Sequence, residues 1–328
     1  MTIAPRKRQQ SQTSGTEVVT LAAPPAPLAS GDVLTDRYTV MDLYGAGPLG
    51  HTYRARDIDG EKVALKVVTH DIAPTANERT HLVGEIGKLI RRDMNRIAVP
   101  HEAFVSGKSA FVVSPWVEGR SLRRVLGAYR DAGKVLSIQE ALGVIDGVVV
   151  ALRQLHQVTA HGALYPESVQ VSAGGRILLS DPGIAAAVKR ARLVEHFERY
   201  TDVLPYLAPE VRAGKASNAG ADLYALGALA SELLTGDPAA AAAGIAGPML
   251  DGLPPEIETA LIGLVASKSA KRAAALPVLI NALTRAAGSK SIPMIDALPR
   301  PRQRTDVMPM AETERDAGTE KTVKRKPR

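Results

Sequence analysis

Lys66 closes the run Val63-Ala64-Leu65-Lys66, and about twenty residues later Glu85 falls in a helical stretch where its carboxylate can pair with an ammonium. Upstream, Gly45-Ala46-Gly47-Pro48-Leu49-Gly50 is a GxGxxG run whose glycines allow close backbone approach. In a dinucleotide-binding fold such a loop opens a helix. Here His51-Thr52-Tyr53-Arg54-Ala55 follows, with its β-formers, and then a turn at Gly60, so the glycines belong to a strand–loop–strand flap. Downstream come His161-Gly162-Ala163-Leu164-Tyr165-Pro166-Glu167, Asp181-Pro182-Gly183, Ala208-Pro209-Glu210, Asp222 and Arg272. A lysine at a strand end is commonly a solvated charge, and any one of these segments alone says little. The series, in this order and spacing, is not noise.

The elements that must position these residues can be read from periodicity. Val40–Leu43, Thr52–Ala55 and Val63–Val68 are short runs rich in β-formers, and Phe104–Val105 with Ala110–Val113 forms a hairpin around Ser-Gly-Lys. Between them, Glu78–Arg92 repeats apolar residues at amphipathic-helix spacing. After Glu118-Gly119 the pattern turns helical, with Leu122–Tyr129 and then Ile138–Leu155. A β-rich region carrying one helix thus precedes a longer, mostly helical one, and no internal repeat is visible.

Composition bounds the classes. The chain has 328 residues and a formal net charge of +7, with 45% apolar residues and no cysteine. A disulfide framework, a thiolate zinc site and a cysteine nucleophile are therefore excluded. The start, MTIAPRKRQQ, has no apolar signal core, and no run reaches the ~18 residues a membrane span needs. A soluble, cytoplasmic protein is the expectation. The charge is uneven: residues 1–30 carry +2, residues 297–328 carry +4, and the remainder only +1. Both ends are polar and rich in Pro, Ala or basic residues, and read as disordered arms over 1–30 and 289–328. With aromatics at only 4% and a near-neutral body, nucleic-acid binding is disfavoured.

From about Arg37 to about Leu283 the chain resembles the protein kinase superfamily, and the bacterial Ser/Thr kinases in particular. GAGPLGHTYRARD looks like the glycine-rich flap, VALKVV the strand with the phosphate-binding lysine, and Glu85 its helix partner. FVVSPWVEG is similar to the hinge, with Ser114 at the gatekeeper position. HGALYPESVQV stands where such proteins have HRDLKPEN, SDPG stands for DFG, and LPYLAPE resembles the end of the activation segment. DLYALGALASELLTG resembles the buried helix of the large lobe, and Arg272 in the final helices would pair with Glu210. The resemblance implies an α+β, two-lobed fold over 31–288. The small β-rich lobe with one helix would span 31–118, and the larger helical lobe 119–288. It also implies a nucleotide site at Gly45, Gly47, Gly50, Ala64, Lys66, Glu85, Pro115 and Val117, with Asp181 for magnesium. His161, Glu210, Asp222 and Arg272 would be structural.

Departures from the family pattern gather on the catalytic loop. The base aspartate is Ala163, the following lysine Tyr165, the metal-binding asparagine Ser168, and the arginine before the base Gly162. The threonine late in the activation segment is Val203. Phosphoryl transfer in this family depends on positioning and charge stabilisation, and loss of a positioned base alone costs ~10²–10⁴-fold. On the nucleotide side Pro48 has no N–H to offer a phosphate, and Pro182 replaces a packing Phe. Ala64 and Thr52 would roof an adenine, whereas Gln170 would floor it with an unpartnered amide at ~1–3 kcal/mol. ATP and Mg²⁺ are therefore expected to bind weakly or not at all, with Lys66, Glu85 and Asp181 forming an internal ion-pair network as the alternative.

The implied function is a pseudokinase acting as scaffold or allosteric regulator in bacterial Ser/Thr phospho-signalling; the alternative is an atypical Ser/Thr kinase with residual transfer to protein. Thr16, Thr313, Thr319 and Thr322, near acidic residues in the tails, are candidate phosphosites. The expected partners are a cognate Ser/Thr kinase and a phosphothreonine-binding forkhead-associated domain. The seven histidines show no metal-ligand spacing, and Trp116 reads as hinge packing.

Overall fold

The computed structural model describes residues 27–240 and 253–288. The first part is an antiparallel six-stranded sheet in the order β1-β2-β3-β4-β6-β5. Its strands are β1 (Val33–Leu34), β2 (Tyr38–Gly47), β3 (Gly50–Arg56), β4 (Lys62–Val68), β5 (Glu102–Ser106) and β6 (Ser109–Pro115). Alternation drives this arrangement. Tyr38, Val40, Tyr53, Ala55, Val63, Leu65, Phe111 and Val113 turn to one side and form a core of their own.

Helix α1 (Ala76–Gly87) crosses the other side, started by a capping box in which Thr75 and Glu78 satisfy each other's backbone N–H groups. It begins two residues before the periodic stretch and stops five residues short of Arg92. From Lys88 the chain tightens into i→i+3 turns that bury Leu89, and Arg91 takes a left-handed φ of 65°.

The second part is helical around a small three-stranded sheet, β7 (Gly119–Ser121), β8 (Val169–Ser172) and β9 (Ile177–Leu179). Its helices are α2 (Leu122–Asp131), α3 (Ile138–Leu155), α4 (Arg190–Phe197), the single turn α5 (Pro209–Arg212), α6 (Ala219–Thr235), α7 (Pro255–Leu264) and α8 (Ser269–Ala287). Helix α6 is buried almost all round, and α3, α7 and α8 pack on it. This is the two-lobed, kinase-like architecture that the resemblance implies, with a sheet lobe and a helical lobe. One large core runs through the second lobe and reaches across to Leu82, Ile86 and Leu89 near α1 and to Leu49 at the flap tip.

The expected disordered arm over 1–30 is ordered at its end, where the Leu28 N–H donates to the Tyr53 hydroxyl (3.1 Å) and the Ala29 N–H to Asp32 (2.8 Å). Thr16, Thr313, Thr319, Thr322 and the tail segments 1–26 and 289–328 lie outside the described residues.

Candidate functional site between the lobes

Strands β2 and β3 turn at Gly47–Gly50 to form the flap. Gly50 has φ 127°, and a Cβ there would lie 2.0 Å from the Val67 carbonyl oxygen, so only glycine lets β3 pass this close to β4. Gly45 and Gly47 have open space where a Cβ would sit. The register places Thr52 opposite Lys66, Ala64 opposite Ser114, and Val63 opposite Pro115, where the hinge begins. Trp116 in the hinge meets Tyr44 of β2 edge-on, with ring centroids 4.9 Å apart.

Lys66 is buried and donates from Nζ to Asp181 Oδ2 at 2.5 Å. Asp181 follows β9 in a left-handed conformation, φ 57°, a sparsely populated region for a non-glycine residue that aims its carboxylate back at the first lobe. Glu85 does not join this pair. Its carboxylate accepts instead from Lys88 Nζ at 2.6 Å on the outer side of α1. The expected Lys66–Glu85 partnership is thus replaced by Lys66–Asp181, because the buried face of α1 is set by Glu78, Arg79, Leu82 and Ile86.

The catalytic-loop positions turn inward. Ala163 is 5% exposed and Tyr165 only 2%. Burial raises the Tyr165 phenol well above its ordinary pKa, so it stays neutral. Ser168, 1% exposed, closes a local turn: its Oγ donates to the Tyr165 carbonyl (2.8 Å) and accepts the Tyr165 N–H (3.1 Å). Gln170 differs from expectation, since its amide is partnered by the Glu167 carbonyl at 2.8 Å. Val203 is buried in the large core.

Behind the loop, Asp222 at the start of α6 accepts the backbone N–H groups of His161 (2.8 Å) and Gly162 (2.9 Å), and contacts His156 Nε2 (2.8 Å). Gly162 needs its glycine, with φ 84° and the Ala186 nitrogen 2.7 Å from where a Cβ would be. His161 Nε2–H donates to the Ser180 carbonyl (2.9 Å), and burial lowers the imidazole pKa, keeping it neutral. Arg272, fully buried, grips Glu210 through Nη1 (2.5 Å) and Nη2 (2.7 Å) and also donates to the carbonyls of Ala266, Gly220 and Ser267. The bidentate pair holds the Glu210 carboxyl below its usual range, despite the opposing effect of burial. Arg123 on α2 joins Glu167 (2.9 Å) to Glu232 of α6 (2.7 Å), and the Tyr206 hydroxyl donates to the same Glu232.

Helix α4, in the segment after Asp181-Pro182-Gly183, has no long amphipathic repeat in the sequence. Leu193 and Phe197, four residues apart and buried, were its readable signal, with Arg192, His196 and Arg199 on a neighbouring face. The helix lies against the first lobe. His196 Nε2–H donates to the Pro48 carbonyl at the flap tip (2.7 Å), and Arg199 pairs with Asp71 (2.9 Å). Lys189 and Arg192 both reach Glu78 at 3.1 Å.

An ATP–magnesium complex would ask for free flap amides, a lysine and two metal donors. The open space at Gly45 and Gly47 and the Lys66–Asp181 pair meet part of that demand. In this arrangement the rest do not fit: the flap tip is held by His196, and Ser168 spends its hydroxyl within its own turn.

Two lobes joined by a hinge, with a glycine flap, a strand lysine and a loop-borne aspartate between them, define the kinase-like class. The chain belongs to the protein kinase domain family, whose profile matches residues 38–247. The serine/threonine-protein kinase PrkC of Bacillus subtilis is 27% identical over 208 residues, which is 63% of this chain and 31% of that protein. The serine/threonine-protein kinase PknJ of Mycobacterium tuberculosis is 32% identical over 260 residues, or 76% of this chain and 43% of that one. The chain thus spans less than half the length of these relatives. The crystal structure of the M. tuberculosis PknI kinase domain superposes with a TM-score of 0.63 at 25% identity, covering 80% of this chain and 100% of that domain. Among the described residues no helix is long and apolar enough to cross a membrane, and no cluster of His, Asp and Glu could hold a metal ion.

Proposed function

We propose that this chain is a pseudokinase, a kinase-like domain that works as a scaffold or allosteric regulator in bacterial Ser/Thr phospho-signalling. One observation carries the reading: the positions that would do chemistry are Ala163, Tyr165 and Ser168, all buried, with the Ser168 hydroxyl bonded to the Tyr165 backbone. Around them the supports stand complete, with Asp222 under the loop and Arg272 on Glu210. Such a loop offers no carboxylate to accept a hydroxyl proton and no cation to face a moving phosphoryl group. The test is purified protein with ATP, Mg²⁺ and a generic protein substrate. Background phosphorylation is expected, and robust transfer abolished by Lys66→Met would overturn the reading.

The Lys66–Asp181 pair favours a second reading, an atypical kinase with residual transfer. Thermal melts separate the two on the nucleotide side. A ligand at 100 times its Kd adds ~2.7 kcal/mol, so a magnesium-dependent shift lost in Asp181→Asn supports a retained nucleotide site. Thr313, Thr319 and Thr322 are proposed as phosphosites for a cognate kinase and docking points for a forkhead-associated partner. Phosphorylated 305–328 peptides that bind no such domain would count against that.

A further inference from the structure

The stretch from the end of α1 to the start of β5, together with Pro115 at the hinge, borders a cleft of about 450 Å³, a size that holds a ligand or a short peptide segment. Its floor is apolar, made by Ile90, Met94, Ile97, Val99, Pro100 and Pro115. Its charge is one-sided. Arg91 and Arg92 line it, Arg96 stands between the lining residues Asn95 and Ile97, and Arg176 of the β8–β9 turn donates to the Asn95 carbonyl (2.8 Å). Asp93 is the one carboxylate on the lining, and His101 its one imidazole. Arg91 is exposed and held in left-handed backbone, φ 65°, and neither its guanidinium nor that of Arg96 has a hydrogen bond or ion pair among the described residues. A non-glycine residue kept in that region with its charge unspent points to a role outside the fold's own bonding.

The C-terminal charge of +4 conceals a reversal of sign. Residues 297–305 hold three arginines and 321–328 five cations, but between them 306–320 carries five carboxylates against Arg315 alone. The same stretch begins with Val307, Met308 and Met310, ahead of Glu312, Glu314 and Asp316. We propose that the cleft behind the hinge is the docking site of the chain's own segment 306–320, its apolar start on the floor and its carboxylates on the arginine rim. The described chain stops where this requires. Helix α8 ends with the Ala287 carbonyl accepting from Gln139 (3.0 Å) in the first turn of α3. The cleft lies at the other end of α3, where Gln154 donates to the Asn95 side chain (3.0 Å) and accepts the Arg96 N–H (3.2 Å). From Gln139 to Gln154 is about 22 Å at the helical rise of ~1.5 Å per residue. The run from Gly288 to Asp306 has an r.m.s. reach of roughly 23 Å as a flexible coil. A tether matched to its span gives a local concentration of about millimolar, so a weak contact suffices. The docked segment touches the hinge at Pro115 and the second lobe at Arg176, clasping the lobes from behind. This clasp goes beyond the pseudokinase reading and does not rest on it, since it needs neither nucleotide nor phosphate.

The chain has no cysteine, so Ala311→Cys puts a single nitroxide label in the middle of the segment on the full chain. Paramagnetic broadening of amide signals then reports where the label dwells. Broadening concentrated on residues 90–101 is expected. It should fall roughly threefold in Arg91→Gln, Arg92→Gln, the loss expected for two exposed ion pairs. Both side chains are exposed, so this variant should fold. If it does not, Glu312→Gln, Glu314→Gln, Asp316→Asn removes the same attraction from the tail and must give a comparable fall. Absence of broadening at 90–101 overturns the proposal, and so does broadening that the charge-removing variants leave intact. Equal broadening at 211–215, where Arg212 and Lys215 are also exposed, means unspecific attraction of an acidic stretch and overturns it too. Labelled chains mixed with unlabelled, isotope-enriched ones complete the test. Broadening of the enriched chain puts the segment on a second copy and ends the intramolecular dock; sharp signals there, with broadening inside the labelled chain, support it.

Discussion

Ala163 borders a cavity of about 10 Å³, lined also by Gly162, Leu164, Tyr165, Phe197 and Asp222, which is room for about one water. A carboxylate placed there would be desolvated and crowded. Ala163→Asp, the obvious restoration of a base, is therefore expected to lower stability by more than the ~1–3 kcal/mol that burying an unpartnered neutral amide or hydroxyl costs, and to leave phosphotransfer at background. Urea unfolding and a phosphate-transfer assay check both halves, and a stable, active variant would break the argument. At this scale the sequence was informative about identity and poor about partners. That positions 163, 165 and 168 lack the family's groups is visible in the letters. That Gln170 finds the Glu167 carbonyl, and that Glu85 turns to Lys88, depends on backbone directions no letter records.

The junction of α1 with α4 shows how one carboxylate serves two elements. Burial by itself would raise the Glu78 pKa. Hydrogen bonds from the Thr75 hydroxyl and backbone, with Lys189 and Arg192, outweigh it and hold the value at about 2 against an ordinary 4.5. A carboxylate depressed on folding stabilises the native state above its unfolded pKa and loses that contribution as pH falls through the folded one. Acidification from about pH 4.5 towards 2 is therefore expected to loosen α1 and α4, and Glu78→Gln should be less stable at neutral pH but flatter across this window. Thermal melts from pH 7 to 2.5 test it; identical slopes for the two proteins would refute it. Elements whose core face repeats regularly were legible from the letters: β2, β3, β4, the β5–β6 hairpin, α2 and α3. Helix α4 was not, because its eight residues include only three apolar ones besides alanine, and its polar face is satisfied by another lobe.

Across the whole molecule, the two lobes are tied by Lys66–Asp181 in the interior, Arg124–Tyr44 at the mouth and His196–Pro48 at the flap tip. A parallel bridge from Ile97 to Leu179 adds a backbone tie behind them. Breaking a buried ion pair from one side strands the other charge, at ~3–5 kcal/mol for full burial. Lys66→Met is accordingly expected to destabilise the nucleotide-free protein, towards the lower end of that range because Asp181 retains some exposure, and so to lower its melting point. An unaltered melting point would show that the Lys66–Asp181 pair contributes nothing to the stability of the nucleotide-free fold.

The residues' own order determined the family and the two-lobed plan. Flap glycines, strand lysine, loop aspartate, Asp222 and the Glu210–Arg272 couple sit at spacings that local periodicity and motif order make readable, and the emptied catalytic loop is a matter of residue type alone. Tertiary structure alone decided which charge meets which. Lys66 takes Asp181 because Asp181 turns into left-handed backbone while α1 keeps Glu85 outside. Helix α4 takes the flap because Phe197 packs on Tyr165 and leaves His196 facing Pro48. Pairings between segments some hundred residues apart follow from how rigid elements rotate against a shared core, and that rotation is a property of the packed whole.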